Sequence, residues 1–194
     1  YMYINLIAIF IFISTVFGQF GQNIVQYDDF DWHFIQTEHF DIYYSGTGRG
    51  HAEFTAVESE AAYIKISNRF NWHLKERISI IVYNSHNDFQ QTNVVDSYMY
   101  EGIGGVTELF KNRMVIPFDA SNIEFKNVIY HELVHVFIND CIYGGSFKNM
   151  VSNARTARIP MWMNEGLAEY LSTGWDTNSE MWIRDMAING GEFP

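Results

Sequence analysis

The residues of this chain best suited to chemistry stand in a run of five, His131-Glu132-Leu133-Val134-His135. On an α-helix, residues four apart lie about 40° from one another around the axis. His131 and His135 would therefore project from one face and could share a single metal ion. Glu132 lies about 100° from His131, where it can reach a water on that ion without binding the ion itself. Phe125, Ile129, Leu133, Val136 and Phe137 fall on the opposite side, a face that can be buried and hold the helix rigid. Two imidazoles leave a catalytic zinc one protein ligand short, because such sites use three ligands and keep one position open. The best donors downstream are in Met163-Asn164-Glu165-Gly166-Leu167-Ala168-Glu169-Tyr170. Glu165 and Glu169 are four apart and face the same way. One can bind the metal while the other accepts a hydrogen bond from a ligating imidazole.

Several elements must position these groups. His39 to Tyr44 alternates apolar and polar residues and reads as a strand. Ala52 to Asn71 reads as an amphipathic helix whose apolar face carries Phe54, Val57, Ala61, Ile64 and Phe70. Ile78 to Tyr83 is apolar and β-branched, which suits a buried strand. Residues 84–93 read as a loop or short helix. Gly105 to Phe110 and Arg113 to Phe118 flank Lys111-Asn112 and read as a β-hairpin. Residues 122–140 form a strong helix. A further helix runs from Pro160, suited to a first helical position, to Ser172, and a last one covers residues 178–189. Strands come first and helices last, an α+β layout with a small mixed sheet, an edge hairpin, a helix carrying the histidines and a mainly helical C-terminal part.

Composition narrows the function classes. Twelve basic residues against 23 acidic ones give a net charge of −11, which speaks against a nucleic-acid partner. The surplus sits in residues 27–60, with eight acids against Arg49, and in residues 160–194, with six acids against Arg184. Hydrophobic residues make up 47% of the chain, enough to build a packed core and to exclude general disorder. The single cysteine, Cys141, excludes an intrachain disulfide and reads as a small buried apolar residue. Trp162, Trp175 and Trp182 read as core, and the isolated His33, His39, His51, His73 and His86 as structural or surface residues. Tyr3 to Phe17 is apolar and uncharged. It is expected to be the apolar region of a signal peptide covering residues 1–18, with Val16 and Gly18 at the cleavage site, or else a membrane anchor. The chain is accordingly expected to be exported, to the periplasm, the cell envelope or the medium, with membrane association through residues 3–17 as a further possibility.

The H-E-L-V-H run followed by N-E-G-L-A-E-Y resembles the gluzincin metallopeptidases. The resemblance runs from about Gln26 to Asp185 and takes in YNSHNDFQQTN, GGVTELFKNR and IPMWMNEGLAEY. Over that length the chain is similar to the peptidase-MA-like N-terminal domain of secreted bacterial proteins that continue into a TolB-like β-propeller. The resemblance implies a zincin-like fold over residues 19–194, cut short before the propeller. It implies a zinc metallopeptidase acting on peptide or protein substrates, with one Zn²⁺ held by His131, His135 and Glu165. It makes Glu132 the general base and Glu169 the acid that orients His131. The 29 residues between His135 and Glu165 exceed the shorter gluzincin spacer, which implies an insert at 141–159. The strand Arg113 to Phe118 would be the edge with which substrate pairs, and Tyr98, Tyr100 and Tyr143 are oxyanion-stabilising candidates by type alone. The alternative is a non-catalytic envelope scaffold or interaction module with this fold; an intact Glu132, for which a scaffold has no use, favours the enzyme.

Overall fold

The computed structural model describes residues 26–94, 102–108, 113–143 and 159–190. The expected signal segment, the insert at 144–158 and the hairpin turn at 109–112 lie outside the described residues. Five strands form one mixed sheet: β1 (Trp32–Gln36), β2 (Phe40–Ser45), β3 (Ile78–Tyr83), β4 (Val106–Glu108) and β5 (Arg113–Pro117), in the order β1-β2-β3-β5-β4. The three middle strands β2, β3 and β5 are parallel, and β1 and β4 add antiparallel edges. Parallel strands need a long crossover. Between β2 and β3 it is supplied by helix α1 (Arg49–Phe70), and between β3 and β5 by a path through the short helix α2 (His86–Phe89) and β4.

Helix α3 (Asn122–Tyr143) packs against α1 on one face of the sheet. Phe40, Ile42, Ile78, Ile80, Val82, Met114 and Ile116 point into this layer from the strands, and Phe125, Ile129, Leu133, Val136 and Phe137 meet them from α3. The face of α3 expected to be buried is buried. On the other side of the sheet a smaller cluster gathers Tyr83, Phe89 and Val115 under Phe30, Ile103 and Val106. Trp72, just after α1, donates its indole N–H to Asp140 near the end of α3 at 2.8 Å, which ties the two helices together.

Two C-terminal helices follow, α4 (Met161–Ser172) and α5 (Thr177–Asn189). Pro160 stands immediately before α4 in an extended conformation, one position earlier than expected. Ala168 of α4 is buried against the core, with Leu167 and Leu171 partly buried beside it. No residue of α5 is buried. Among the described residues no helix is long and apolar enough to cross a membrane.

Four expectations need correction. Helix α1 does not bury Val57 and Ile64, which are 69% and 60% exposed; its inner face carries Ala52, Thr55, Ser59, Ala62, Tyr63 and Ile66. Small and hydroxyl-bearing side chains let the helix lie close to both the sheet and α3, and Thr55 returns its hydroxyl to the His51 carbonyl at 2.8 Å. Second, β5 is not an edge. Its Met114, Val115, Ile116 and Pro117 are buried and apolar, which suits an inner strand, and the half-buried β4 folds back to take the edge. Third, Trp162, Trp175 and Trp182 are exposed, because α4 and α5 lie outside the two-layer core. Fourth, Cys141 is exposed, on the outer side of the last turn of α3.

The burial pattern of α1 makes an expected outcome explicit. Ile66→Ala removes a fully buried side chain and should cost about 2–5 kcal/mol, whereas Ile64→Ala should stay within about 0.5 kcal/mol. Urea denaturation of the two variants checks the face: equal losses would mean that α1 is turned differently about its axis.

Candidate functional site

Helix pitch alone sets His131 and His135 side by side on the face of α3 that turns towards α4. Their Nε2 atoms are 3.1 Å apart. Helix α4 brings Glu165 opposite them, with its Oε2 3.4 Å from His131 Nε2 and 3.5 Å from His135 Nε2. Three donor atoms from two helices thus form a nearly equilateral triangle. A tetrahedral zinc with bonds of about 2.0–2.2 Å separates its ligand atoms by about 3.3–3.6 Å. Two imidazole nitrogens and a carboxylate oxygen are also the donor types zinc takes in catalytic sites. The residues therefore fit one ion in both spacing and chemistry, and they are the one such group among the described residues.

The other faces of the two rings differ. Glu169, one turn after Glu165, places its Oε2 3.6 Å from His131 Nδ1. That is beyond hydrogen-bond length but on the ring atom that must be held if Nε2 binds a metal. The other oxygen of Glu169 receives the Thr173 hydroxyl at 3.2 Å. His135 Nδ1 is buried and has no hydrogen-bond partner among the described residues.

Glu132 is not part of the triangle. Its side chain turns from α3 towards β4 and is 7% exposed. Its Oε2 accepts the Thr107 hydroxyl at 2.6 Å, and the same hydroxyl lies 3.1 Å from the Glu132 main-chain oxygen. Burial pushes the Glu132 carboxyl above its ordinary range, against the opposing pull of the Thr107 hydroxyl and of His135 and His131. Gly105 makes this fit possible. A Cβ there would stand 2.9 Å from Glu132 Cγ and 3.1 Å from Ile116 Cγ2, so the chain before β4 can press on the helix only without a side chain. The glycine at position 105 therefore answers a packing demand.

All these groups line one open cleft of about 670 Å³. Its floor is the α3 face from Glu124 through Val128 and His131 to Asn139, one wall is Gly104 to Thr107, and the other is α4 with Glu165 and Glu169. The expected ligands His131, His135 and Glu165, together with Glu132 and Glu169, all lie here. Of the oxyanion candidates, Tyr98 and Tyr100 lie outside the described residues, and Tyr143 ends α3 with a side chain outside them as well. Thr107 and Gly105 were not foreseen in the roles they fill. Only the G-G-V-T hairpin arm marks them in the sequence, and nothing local says that it meets Glu132.

Compared with known proteins, residues 58–191 match the family model of the peptidase MA superfamily, from the middle of α1 to just past α5. The match covers more than half of the chain, and the chain belongs to that superfamily. Its α/β architecture is that of a small zincin-like domain of this superfamily. No curated protein matches it in sequence.

Gly105→Ala should destabilise the protein by about 1–3 kcal/mol, through overpacking against Glu132 and Ile116. Gly166 lies inside α4 with nothing within 4 Å of a Cβ, so Gly166→Ala should instead gain about 0.5–1 kcal/mol from helix propensity. Denaturation midpoints of the two variants should move in opposite directions, and a neutral Gly105→Ala would show that β4 stands further from α3.

Proposed function

We propose that this member of the peptidase MA superfamily is a zinc-dependent peptidase, with His131, His135 and Glu165 holding one zinc ion and Glu132 acting as general base. The observation that carries the reading is the placement of Glu132: a buried carboxylate, beside the three-atom site and in the same cleft, that contributes nothing to the triangle itself. Bound zinc would lower the pKa of a water to about 7 and polarise the scissile carbonyl.

The rest of the chemistry belongs to the chain. Glu132 removes a proton from the attacking water as the water oxygen bonds to the carbonyl carbon. The same proton passes to the leaving nitrogen as the C–N bond breaks, giving a carboxylic acid and an amine, and the acid's proton then moves to the amine to leave a carboxylate and an ammonium. Glu169 faces His131 Nδ1 at 3.6 Å, and a hydrogen bond closed across that gap would fix the ring's orientation and tautomer. An extended peptide would add to the outer side of β4, among the described residues the outermost strand beside Glu132, with its main chain pairing to the strand. Export or membrane attachment through residues 3–17 belongs to the same proposal, since a peptidase acting on extracytoplasmic proteins needs such a segment.

Purified protein should carry one zinc per chain by elemental analysis, and His135→Ala should lose it. Zinc-free wild type, or full retention in His135→Ala, would sink the assignment. Glu132→Gln should keep zinc and lose about 10²–10⁴-fold in hydrolysis of an unstructured peptide, because it removes the proton acceptor and leaves the ligands. Chelator competition separates the two glutamates. Glu169→Ala should weaken zinc binding about 10–100-fold and Glu165→Ala by more. Equal losses would mean that ligand and supporter are wrongly assigned.

A further inference from the structure

The geometry points to Thr107 as the positioning residue for Glu132, setting the plane of its carboxylate and keeping a bond to it before and after proton transfer. This inference rests on the reading of Glu132 as the base. The terminal torsion of a glutamate is broad and lacks sharp rotamer wells, so the side chain's own preferences do not fix which way its two oxygens face. The Thr107 hydroxyl, 2.6 Å from Oε2, does. With Oε2 occupied, Oε1 has no hydrogen bond to any described residue; it lies beside Gly105, whose missing side chain leaves it uncovered, and in this reading it is the oxygen that meets the water.

Thr107 is itself held on three counts. It sits in the middle of β4, opposite the buried Met114 of β5 in the antiparallel register. A β-branched side chain is stiff at its first torsion, so the strand's position becomes the hydroxyl's position. Gly105, two residues earlier, lets that strand come close enough to α3 for the bond to form.

The hydroxyl has one proton and two acceptors on the same residue, Oε2 at 2.6 Å and the main-chain oxygen at 3.1 Å. While the carboxylate is ionised, the proton points to Oε2. Once Oε1 has taken the water's proton, Oε2 is the carbonyl oxygen of the acid and goes on accepting the same hydroxyl, with the main-chain oxygen as that hydroxyl's second acceptor. No proton is gained or lost by Thr107 in either state, and neither state leaves a buried polar group unpaired, an arrangement that spares a desolvation cost at each half of the reaction. A purely structural tie between β4 and α3 would need only one of these contacts.

The test uses Thr107→Val, which keeps the shape and removes the hydroxyl, and Thr107→Ser, which keeps the hydroxyl. On an unstructured peptide, Thr107→Val should lower kcat about 10–100-fold, the scale of a misplaced catalytic group, with KM within about two-fold of wild type. Its zinc affinity and melting temperature should stay near wild type, and Thr107→Ser should restore most of kcat. Wild-type kcat in Thr107→Val, a fall that tracks lost zinc or lost folding, or a Thr107→Ser as impaired as Thr107→Val would overturn the assignment. A second readout needs neither metal nor turnover. In zinc-free E132Q protein the side-chain amide should give a dispersed ¹H–¹⁵N signal that shifts when Thr107→Val is added and is retained with Thr107→Ser. An amide signal indifferent to Thr107 overturns the positioning role whichever way Glu132→Gln behaves in the activity assay. An active Glu132→Gln overturns the base itself, so the two failures are told apart.

Discussion

A carboxylate buried beside two imidazoles, yet outside the group they form with a third donor, is the constraint on which the rest of this structure turns. Glu132 must stay close enough to the site to exchange a proton and far enough from it not to become a ligand. One helical residue of offset from His131 supplies that separation, because a step of about 100° moves the side chain off the ligand face towards the neighbouring strand. The cost is burial: a charged group held between α3 and β4 needs a donor on the strand side, and the strand must come within contact distance to provide it. Thr107 is that donor and Gly105 permits the approach. The sheet order follows from the same demand, since a half-buried strand placed outside β5 is what brings a hydroxyl to this side of α3.

What could be read from the sequence was what depends on local spacing. His131, Glu132 and His135 are fixed relative to one another by helix pitch alone, and Glu165 and Glu169 by the same pitch on α4. The apolar stripe from Phe125 to Phe137 predicted part of the buried side of α3 because its large side chains recur at helical spacing; burial extends further round the helix, to Tyr130, Val134 and Ile138. The same reasoning failed for α1, where the apolar residues Val57 and Ile64 face solvent and serines, alanines and a threonine face the core. Periodicity finds a stripe of large side chains, but a helix wedged between a sheet and another helix selects for small ones. The strand order was misread for a related reason. The arm from Met114 to Pro117 is apolar throughout and that from Val106 to Glu108 is mixed, and pairing to β3, with Arg113 opposite Ser79, puts the apolar arm inside. Thr107 could not be found locally at all, since its partner is 25 residues away on another element.

Electrostatics and geometry pull on Glu132 in opposite directions. Burial favours its neutral form, while Thr107 and the two imidazoles favour the anion. A dication at the three-atom site would take the place of the imidazoles' charge, since they bind a metal only when neutral, and would favour the anion in their stead. Burial and charge would then still oppose one another at Glu132, as suits a group proposed to take up a proton and give it back. By contrast, the exposed ion pairs elsewhere, such as Arg49 with Glu53 and Arg184 with Glu180, lie along helix surfaces where screening leaves them little influence on the fold.

The edge strand finally joins two tasks that are usually discussed apart. Among the described residues β4 is the outermost strand on the cleft side, so an extended peptide that pairs with it would restrain its main chain. Thr107 belongs to that main chain, and its hydroxyl holds the carboxylate of Glu132. Restraining the strand therefore restrains the base. β4 is short, three residues long, and among the described residues is paired on one side only, by β5. A strand so short gains proportionally more from a second partner than a long one would. The hydrogen bond from Thr107 to Glu132 is already made without a peptide, so a peptide pairing with β4 would add restraint to a contact the fold has formed. The fold thus places the residue that holds Glu132, the proposed base, on the strand the proposed substrate would bind.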